Sequence, residues 1–185
     1  MSNLTPITAL GQTTPETACF GPLELRENAG LGLASLALRK GGVEPTPFGI
    51  TLPAPGGWAQ TKDTGAFWTG PGQWMIALQD RAEDDILPDL MATAPDCSIT
   101  EQTDGWVAFD ISAPDLTPFL ERLVNVDLGQ FGAGSATRTT IDHMGVYVIH
   151  RVAGQATILG MRSSASSLWH ALTTVAARLT KETET

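Results

Sequence analysis

The chain has 185 residues, a formal net charge of −9 at pH 7, 42% hydrophobic residues and 17% charged residues. This composition indicates a globular chain of one domain, or two small subdomains sharing a core, and excludes a fully disordered one. Eleven Lys and Arg side chains, scattered along the chain, do not provide the clustered positive charge that nucleic acids or anionic membranes require.

The first elements of the chain are short. Residues 1–16 show no sustained periodicity and are predicted to form a flexible arm, ordered only against a partner. Weak alternation over residues 18–26 predicts a strand, with Pro22 favouring an edge or a bulge. Residues 31–39 fit either a helix or a strand, and we favour the strand because two glycines weaken a helix there.

A segment rich in Gly and Pro follows, at residues 41–65. Its length exceeds that of a hairpin loop, so it is expected to be functional, partner-bound or mobile. Residues 66–69 and 73–79 are predicted strands around a Gly-Pro-Gly turn. A helix is predicted over residues 85–94, with its first residue, an aspartate, as the N-cap.

The middle of the chain is predicted to contain a hairpin followed by a helix. Strands over residues 97–102 and 106–111 flank an Asp-Gly dipeptide that is typical of hairpin turns. Apolar positions over residues 116–123 recur with helical spacing. This helix has two equally good caps, Ser112 and Thr117.

The last part of the chain is the most regular. Three strands are predicted over residues 135–142, 145–152 and 155–161, separated by turns. A final helix begins at Ser163 or Ser164 and carries a clear apolar stripe. The stripe consists of Leu168, Leu172, Val175 and Leu179.

Together these elements predict an α+β fold with mostly antiparallel sheet, helices on one face and two small subdomains. The expected organisation is a flexible arm over residues 1–16, one domain over residues 17–179 and a polar tail over residues 180–185. A subdivision of the domain is expected near residue 103.

Several sequence features concern location. No apolar run approaches the ~20 residues of a spanning helix, and the N-terminus lacks the basic and apolar regions of a secretory signal. Cys19 and Cys97 are too few for a disulfide scaffold and are expected to be buried thiols. We therefore expect a cytoplasmic protein without membrane contact.

The motifs of common catalytic and cofactor sites are missing from the sequence. It contains no G-x-G-x-x-G, no Gly-Lys-Ser/Thr and no G-x-S-x-G. His143, His150 and His170 do not have the spacing of zinc ligands. Serines within residues 163–167 are explained by a helix cap. We therefore predict no catalytic, cofactor-binding or metal-binding residue in this chain.

Negative charge is concentrated in residues 80–104, the acidic stretch, which holds eight Asp and Glu side chains against Arg81 alone. Acidic residues near a helix N-terminus are stabilised by the helix dipole, so a solvated helix start explains the stretch. The functional alternative is a docking face for a basic partner.

The five tryptophans divide into two groups. Trp68, Trp106 and Trp169 lie on the expected core faces of their elements. Trp58 lies in the Gly/Pro-rich segment and Trp74 follows a glycine turn. Because aromatic residues on loops often act as anchors, Trp58 and Trp74 are the candidate interface residues.

Four stretches, taken in order, resemble the gamma subunit of heterotetrameric sarcosine oxidase. The resemblance covers roughly residues 17–179 and depends on the ordered set, because no single motif is diagnostic. The stretches are Phe67–Leu78, Thr103–Ser112, Leu120–Leu128 with Phe131, Gly134 and Arg138–Thr139, and Arg162–Leu172.

This resemblance implies an oxidoreductase complex of alpha, beta, gamma and delta subunits. It oxidatively demethylates sarcosine to glycine with oxygen, yielding hydrogen peroxide, and releases formaldehyde or forms 5,10-methylenetetrahydrofolate from tetrahydrofolate. FAD, covalent FMN and NAD are expected in alpha and beta, and zinc in delta. The gamma subunit is expected to carry no cofactor and to be inactive alone.

The resemblance also implies a fold like the folate-binding domain of glycine-cleavage aminomethyltransferases. Some relatives of that fold carry a Lys-Gly-Cys-Tyr-x-Gly-Gln-type loop, which this sequence lacks. The alternative is a stand-alone folate or one-carbon-binding protein of the same fold. Such a protein needs converging cations for the folate glutamate, and only Arg138, Arg151 and Arg162 are candidates.

Overall fold

The computed structural model describes residues 6–183, which form an α+β fold with mostly antiparallel sheet. The expected fold class is confirmed. The strands are β1 (Thr17–Phe20), β2 (Leu23–Glu27), β3 (Gly32–Leu38), β4 (Trp58–Gln60), β5 (Thr64–Gly70), β6 (Gln73–Leu78), β7 (Cys97–Glu101), β8 (Trp106–Ser112), β9 (Ser135–Ile141), β10 (Met144–Val152) and β11 (Gln155–Met161). The helices are α1 (Leu87–Thr93), α2 (Thr117–Leu120) and α3 (Ala165–Thr183).

The chain divides into two compact units. The first unit contains the residues up to 29, residues 105–133 and the residues from 138 onward, and the second contains residues 30–104 and 134–137. The chain thus enters the second unit after residue 29, leaves it after residue 104 and returns to it for residues 134–137.

The first unit is built on a six-stranded sheet in the order β1-β2-β8-β11-β10-β9. Alternate residues of β8 point to opposite faces, and Val107, Phe109 and Ile111 are all buried in one hydrophobic core. Leu168 and Leu172 of α3, both fully buried, pack into the same core. The apolar stripe predicted on the last helix therefore covers this sheet.

The second unit is built on a five-stranded sheet in the order β4-β5-β6-β3-β7. Leu36 of β3 and Ile76 of β6 are buried in its core together with Leu90 of α1. Strand β3 lies between β6 and β7 and pairs with both, so the strand favoured over residues 31–39 is confirmed.

Two predictions about neighbouring strands are wrong. Residues 18–26 form the antiparallel pair β1–β2, because Gly21, with φ of +59°, turns the chain before Pro22. Strands β7 and β8 do not form a hairpin, because a 3-10 turn at Thr103–Gly105 separates them. Strand β7 pairs with β3, whereas β8 pairs with β2 and β11.

The N-terminal segment is attached to its own unit over residues 7–16. Glu27, only 1% exposed, accepts hydrogen bonds from the main-chain N–H groups of Leu10 (3.0 Å) and Glu16 (3.3 Å). Arg162 donates a hydrogen bond to the carbonyl oxygen of Ile7 at 3.2 Å. These contacts contradict a flexible arm over the described part of residues 1–16, and residues 1–5 lie outside the description.

The Gly/Pro-rich segment 41–65 also packs onto its own unit. Ile50 and Leu52 are 3% and 7% exposed and belong to the core of the second unit. The segment contains β4 at its end, which pairs with β5. The segment, which was expected to be functional, partner-bound or mobile, is thus attached to the second unit by two buried aliphatic side chains and by β4.

The helix boundaries differ from those predicted. Helix α1 begins at Leu87, and Asp85 accepts a hydrogen bond from the Leu87 N–H at 3.3 Å without being the N-cap residue. Helix α2 has only four residues. Helix α3 continues to Thr183, so residues 180–183 of the predicted tail are helical.

Candidate functional site

Trp74, one of the two predicted interface anchors, is a core residue. Its side chain is 5% exposed, and its Nε1 donates a hydrogen bond to the carbonyl oxygen of Pro53 at 2.9 Å. It lies in β6, in the core of the second unit. The prediction that it is an interface anchor is therefore wrong, because the strand's alternation turns the indole inward.

Trp58, the other predicted anchor, is half-buried. The atom Cη2 of its indole lies 1.9 Å from the position that a Cβ on Gly65 would occupy, so the ring covers this glycine. The ring centroid is 6.4 Å from that of Phe67, and Nε1 donates to Oε1 of Gln60 at 3.1 Å. Trp58 is thus held on its own unit, and its interface role stays a prediction.

The three tryptophans expected in the core are partly exposed. Trp169 packs against Phe109 with a centroid distance of 5.2 Å, and Trp106 packs against Tyr147 at 5.7 Å. Trp68 is partly buried beside the core of the second unit. Trp74, which the sequence placed after a glycine turn, is therefore the most buried of the five tryptophans.

The acidic stretch is partly occupied by local contacts. Arg81 forms ion pairs with Asp84 and, at 2.9 Å, with Asp89. The hydrogen bonds that Arg81 donates to Asp89 and Asp84 raise the pKa of Arg81 above its usual value. Asp96 accepts a hydrogen bond from the Val43 N–H at 3.1 Å, and Glu101 accepts one from the Thr103 N–H at 2.7 Å. These carboxylates therefore stabilise their own loops.

Two of the three candidate arginines for an anionic ligand, Arg151 and Arg162, lie far apart. Arg151 lies beside the first residue of β11, whereas Arg162 directly follows its last residue. Seven strand residues separate the two positions by about 20 Å. Arg138 is exposed on β9. Two of the three, Arg151 and Arg162, already have protein partners.

A polar cluster that the sequence did not reveal surrounds Asp110 in the first unit. Its Oδ1 accepts a hydrogen bond from Oγ1 of Thr157 at 2.6 Å and lies 3.4 Å from Nη2 of Arg151. Its Oδ2 accepts a bond from Nδ2 of Asn28 at 2.9 Å. The carboxylate is paired with Arg151 and both oxygens are occupied, so the cluster joins β8, β10, β11 and the loop after β2. The sequence signal for this cluster is Asp110 itself, an aspartate inside the apolar run of β8.

The histidines lie in separate surroundings. His143 is in the β9–β10 turn with φ of +67°, and His170 is exposed on α3. Nδ1 of His150 lies 3.2 Å from the carbonyl oxygen of Phe131, so Nδ1 is the donor of that bond. Across residues 6–183, no three His, Cys, Asp or Glu side chains are grouped so that they could hold a metal ion.

The two cysteines differ in exposure. Cys19 is exposed on β1, which contradicts the expected burial, because β1 is the edge strand of its sheet. Cys97 is 3% exposed. Burial raises the pKa of the Cys97 thiol, and the charge of Asp96 adds to this effect.

The first unit contains an open cavity of about 390 Å³, which we call the apolar groove. Its walls come from the β1–β2 turn, the segment 113–119 and the last turns of α3. Apolar side chains provide most of the lining, and the polar ones are Asp115 and Thr180. The apolar residues include Phe20, Pro22, Phe119 and Leu179.

None of the helices within residues 6–183 combines the length and the apolar character needed to cross a membrane.

No protein-family model matches the chain, and no curated protein matches it. Solved structures do match.

One match is a chain of a heterotetrameric sarcosine oxidase from Corynebacterium sp. U-96 in complex with pyrrole 2-carboxylate. The TM-score is 0.75 at 20% identity, and the match covers 89% of each chain. Another is the glycine cleavage system aminomethyltransferase T from Bartonella henselae, with a TM-score of 0.58 at 14% identity. That match covers 82% of this chain but 48% of the aminomethyltransferase. The protein therefore has the aminomethyltransferase-like fold, and its structure is similar to that of a chain in a heterotetrameric sarcosine oxidase.

Proposed function

We propose that this chain is the non-catalytic gamma subunit of a heterotetrameric sarcosine oxidase. The observation that carries the proposal is the extent of the structural match. The chain and its neighbour in the sarcosine oxidase cover 89% of each other, whereas the chain spans about half of the aminomethyltransferase. Coverage of most of both chains favours the role of the sarcosine oxidase subunit over that of the aminomethyltransferase.

The chemistry of the side chains supports a role in assembly. Asp110 is neutralised and hydrogen-bonded on both oxygens, and the Cys97 thiol is buried with a raised pKa. Neither group has the properties of a poised base or nucleophile. The subunit would therefore act by binding its partners.

In this proposal the partners are alpha, beta and delta subunits. They would hold FAD, FMN, NAD and zinc, and the complex would oxidise sarcosine to glycine with hydrogen peroxide as a product. Formaldehyde would be the other product, or 5,10-methylenetetrahydrofolate when tetrahydrofolate is the co-substrate. The cytoplasm is the proposed location.

Co-purification tests the proposal. The chain, tagged and co-expressed with the alpha, beta and delta chains of its source organism, should form a complex with one copy of each. The complex should produce peroxide from sarcosine, and the isolated chain should be colourless and inactive. Stoichiometric flavin on the isolated chain, or partners that purify without it, would refute the subunit role.

The alternative is a stand-alone folate-binding protein, which the aminomethyltransferase-like fold brings into consideration. The separation of Arg151 from Arg162 counts against it, because a folate glutamate needs converging cations. Titration of tetrahydrofolate into the pure chain should give no saturable binding below about millimolar, an affinity worth about −4 kcal/mol. Micromolar binding that is lost in Arg138→Ala or Arg162→Ala would favour the alternative.

A further inference from the structure

The apolar groove is formed by rigid parts of the first unit. Pro22 lies in the β1–β2 turn, Pro114 in the segment that leads into α2 and Pro118 in the first turn of α2. A proline ring fixes its own φ, so these walls have little conformational freedom to lose. Phe119 and Ala176, each 1% exposed, form the floor and belong to the core. A groove of this kind is preorganised and needs little ordering when a side chain enters it.

The groove has one charged lining residue, Asp115. The Thr117 N–H donates a hydrogen bond to its Oδ1 at 2.9 Å, which fixes the carboxylate and is the main cause of its lowered pKa. Thr180 of α3 is the other polar lining residue and carries no charge. Glu182 of α3 is paired with Arg122 at 2.7 Å, and Lys181 does not line the groove.

These features indicate an occupant that is apolar and has a positive charge beside it. We propose that the apolar groove receives an aliphatic or aromatic side chain of another subunit of the assembly, with an adjacent Lys or Arg of that subunit paired to Asp115. The proposal depends on the proposed function, because it names a docking surface of the same complex.

A protein partner fits the groove for two further reasons. A volume of about 390 Å³ holds one or two large side chains, the size of a hot-spot anchor at an interface. The two tryptophans that the sequence suggested as anchors are held by this chain itself, because Trp74 is in the core and Trp58 covers Gly65. The groove offers a receptor for a side chain of the partner instead.

Two substitutions in the first unit test this inference. Thr180→Trp places an indole in the groove, and Asp115→Asn removes the charge while its side-chain oxygen still accepts the Thr117 N–H. Ser167→Trp, at an exposed position near the other end of α3, is the matched control for the added indole. Each variant is first compared with the wild type by circular dichroism and thermal unfolding. Affinity for the preassembled alpha, beta and delta chains is then measured by biolayer interferometry at two salt concentrations.

We expect Thr180→Trp to weaken association at least tenfold, and Ser167→Trp to leave it within twofold. Asp115→Asn should weaken association threefold to tenfold at low salt, with a smaller loss at high salt because the ion pair is screened. A folded Thr180→Trp variant that binds like the wild type overturns the groove proposal and leaves the subunit role intact. A wild-type chain that does not bind the other subunits overturns both. A wild-type homodimer that Thr180→Trp dissociates would show that a second copy occupies the groove, which also overturns the proposal.

Discussion

Glu27 holds the N-terminal segment against the first unit, and its replacement by alanine should release that segment. The carboxylate is 1% exposed and lies in β2. It accepts main-chain hydrogen bonds from Leu10 at 3.0 Å and from Glu16 at 3.3 Å. A separate bond from the Glu27 N–H to the carbonyl oxygen of Glu16 would remain in the variant.

The expected loss follows from these bonds. A hydrogen bond to a charged group contributes about 1.5–3 kcal/mol, so two would contribute roughly 3–6 kcal/mol. The longer bond to Glu16 and the exposure of Glu16 reduce this value, because a released N–H is hydrated by water. Removing a buried charge recovers part of its desolvation cost as well. We therefore expect Glu27→Ala to lower the free energy of unfolding by about 2–3 kcal/mol, and Glu27→Gln, which keeps one acceptor oxygen, by about 1–2 kcal/mol.

Two measurements check this prediction. Chemical denaturation gives the change in stability, and hydrogen exchange reports the amides of Leu10 and Glu16 directly. Glu24→Ala, an exposed position on the same strand, is the control and should change stability by less than about 0.5 kcal/mol. The reasoning is refuted if Glu27→Ala leaves both amides as protected as in the wild type, or if it stabilises the protein.

Three further predictions concern packing and thiol chemistry. Gly65→Ala should destabilise the second unit by about 1–3 kcal/mol, because its Cβ would overlap the indole of Trp58, and the loss should fall below about 0.5 kcal/mol in a Trp58→Ala background. Trp169→Ala should lower the free energy of unfolding by about 2 kcal/mol, less than the 3–5 kcal/mol expected for a fully buried indole, because Trp169 is partly exposed. An unchanged denaturation curve would mean that its contact with Phe109 is not maintained in solution. Iodoacetamide should alkylate the exposed Cys19 faster than the buried Cys97 at pH 8, because burial restricts access to Cys97 and raises its pKa, which lowers the thiolate fraction. Equal rates at pH 8 would contradict the burial of Cys97.

The elements with strong local signals were predictable from the sequence. The three strands β9, β10 and β11 occur where alternation and turn residues placed them, and β3 occurs where two glycines favoured a strand over a helix. The last helix was clear because its apolar stripe repeats over more than two turns, and this pattern depends only on the 3.6-residue period. The fold class followed from the number and order of these elements.

Strand pairing was less predictable. The Asp-Gly dipeptide before Trp106 has the local preference of a hairpin turn, yet β7 and β8 belong to different sheets. The Asp-Gly dipeptide determines how the chain can turn at that point. The pairing of β7 and β8 depends instead on the residues that β3 and β11 present to them. Those residues are distant in sequence, so no local window contains the information.

The candidate sites show the same division between local and tertiary information. The sequence by itself determined the composition, the helical and strand periods, and the absence of phosphate-binding and nucleophile motifs, because each of these is a property of adjacent residues. Only the tertiary structure decided that Trp74 is buried, that Glu27 holds residues 10 and 16, and that Arg151 pairs with Asp110 across 41 positions. Burial and ion pairing depend on the atoms that surround a side chain, and here those atoms come from segments that only folding brings together.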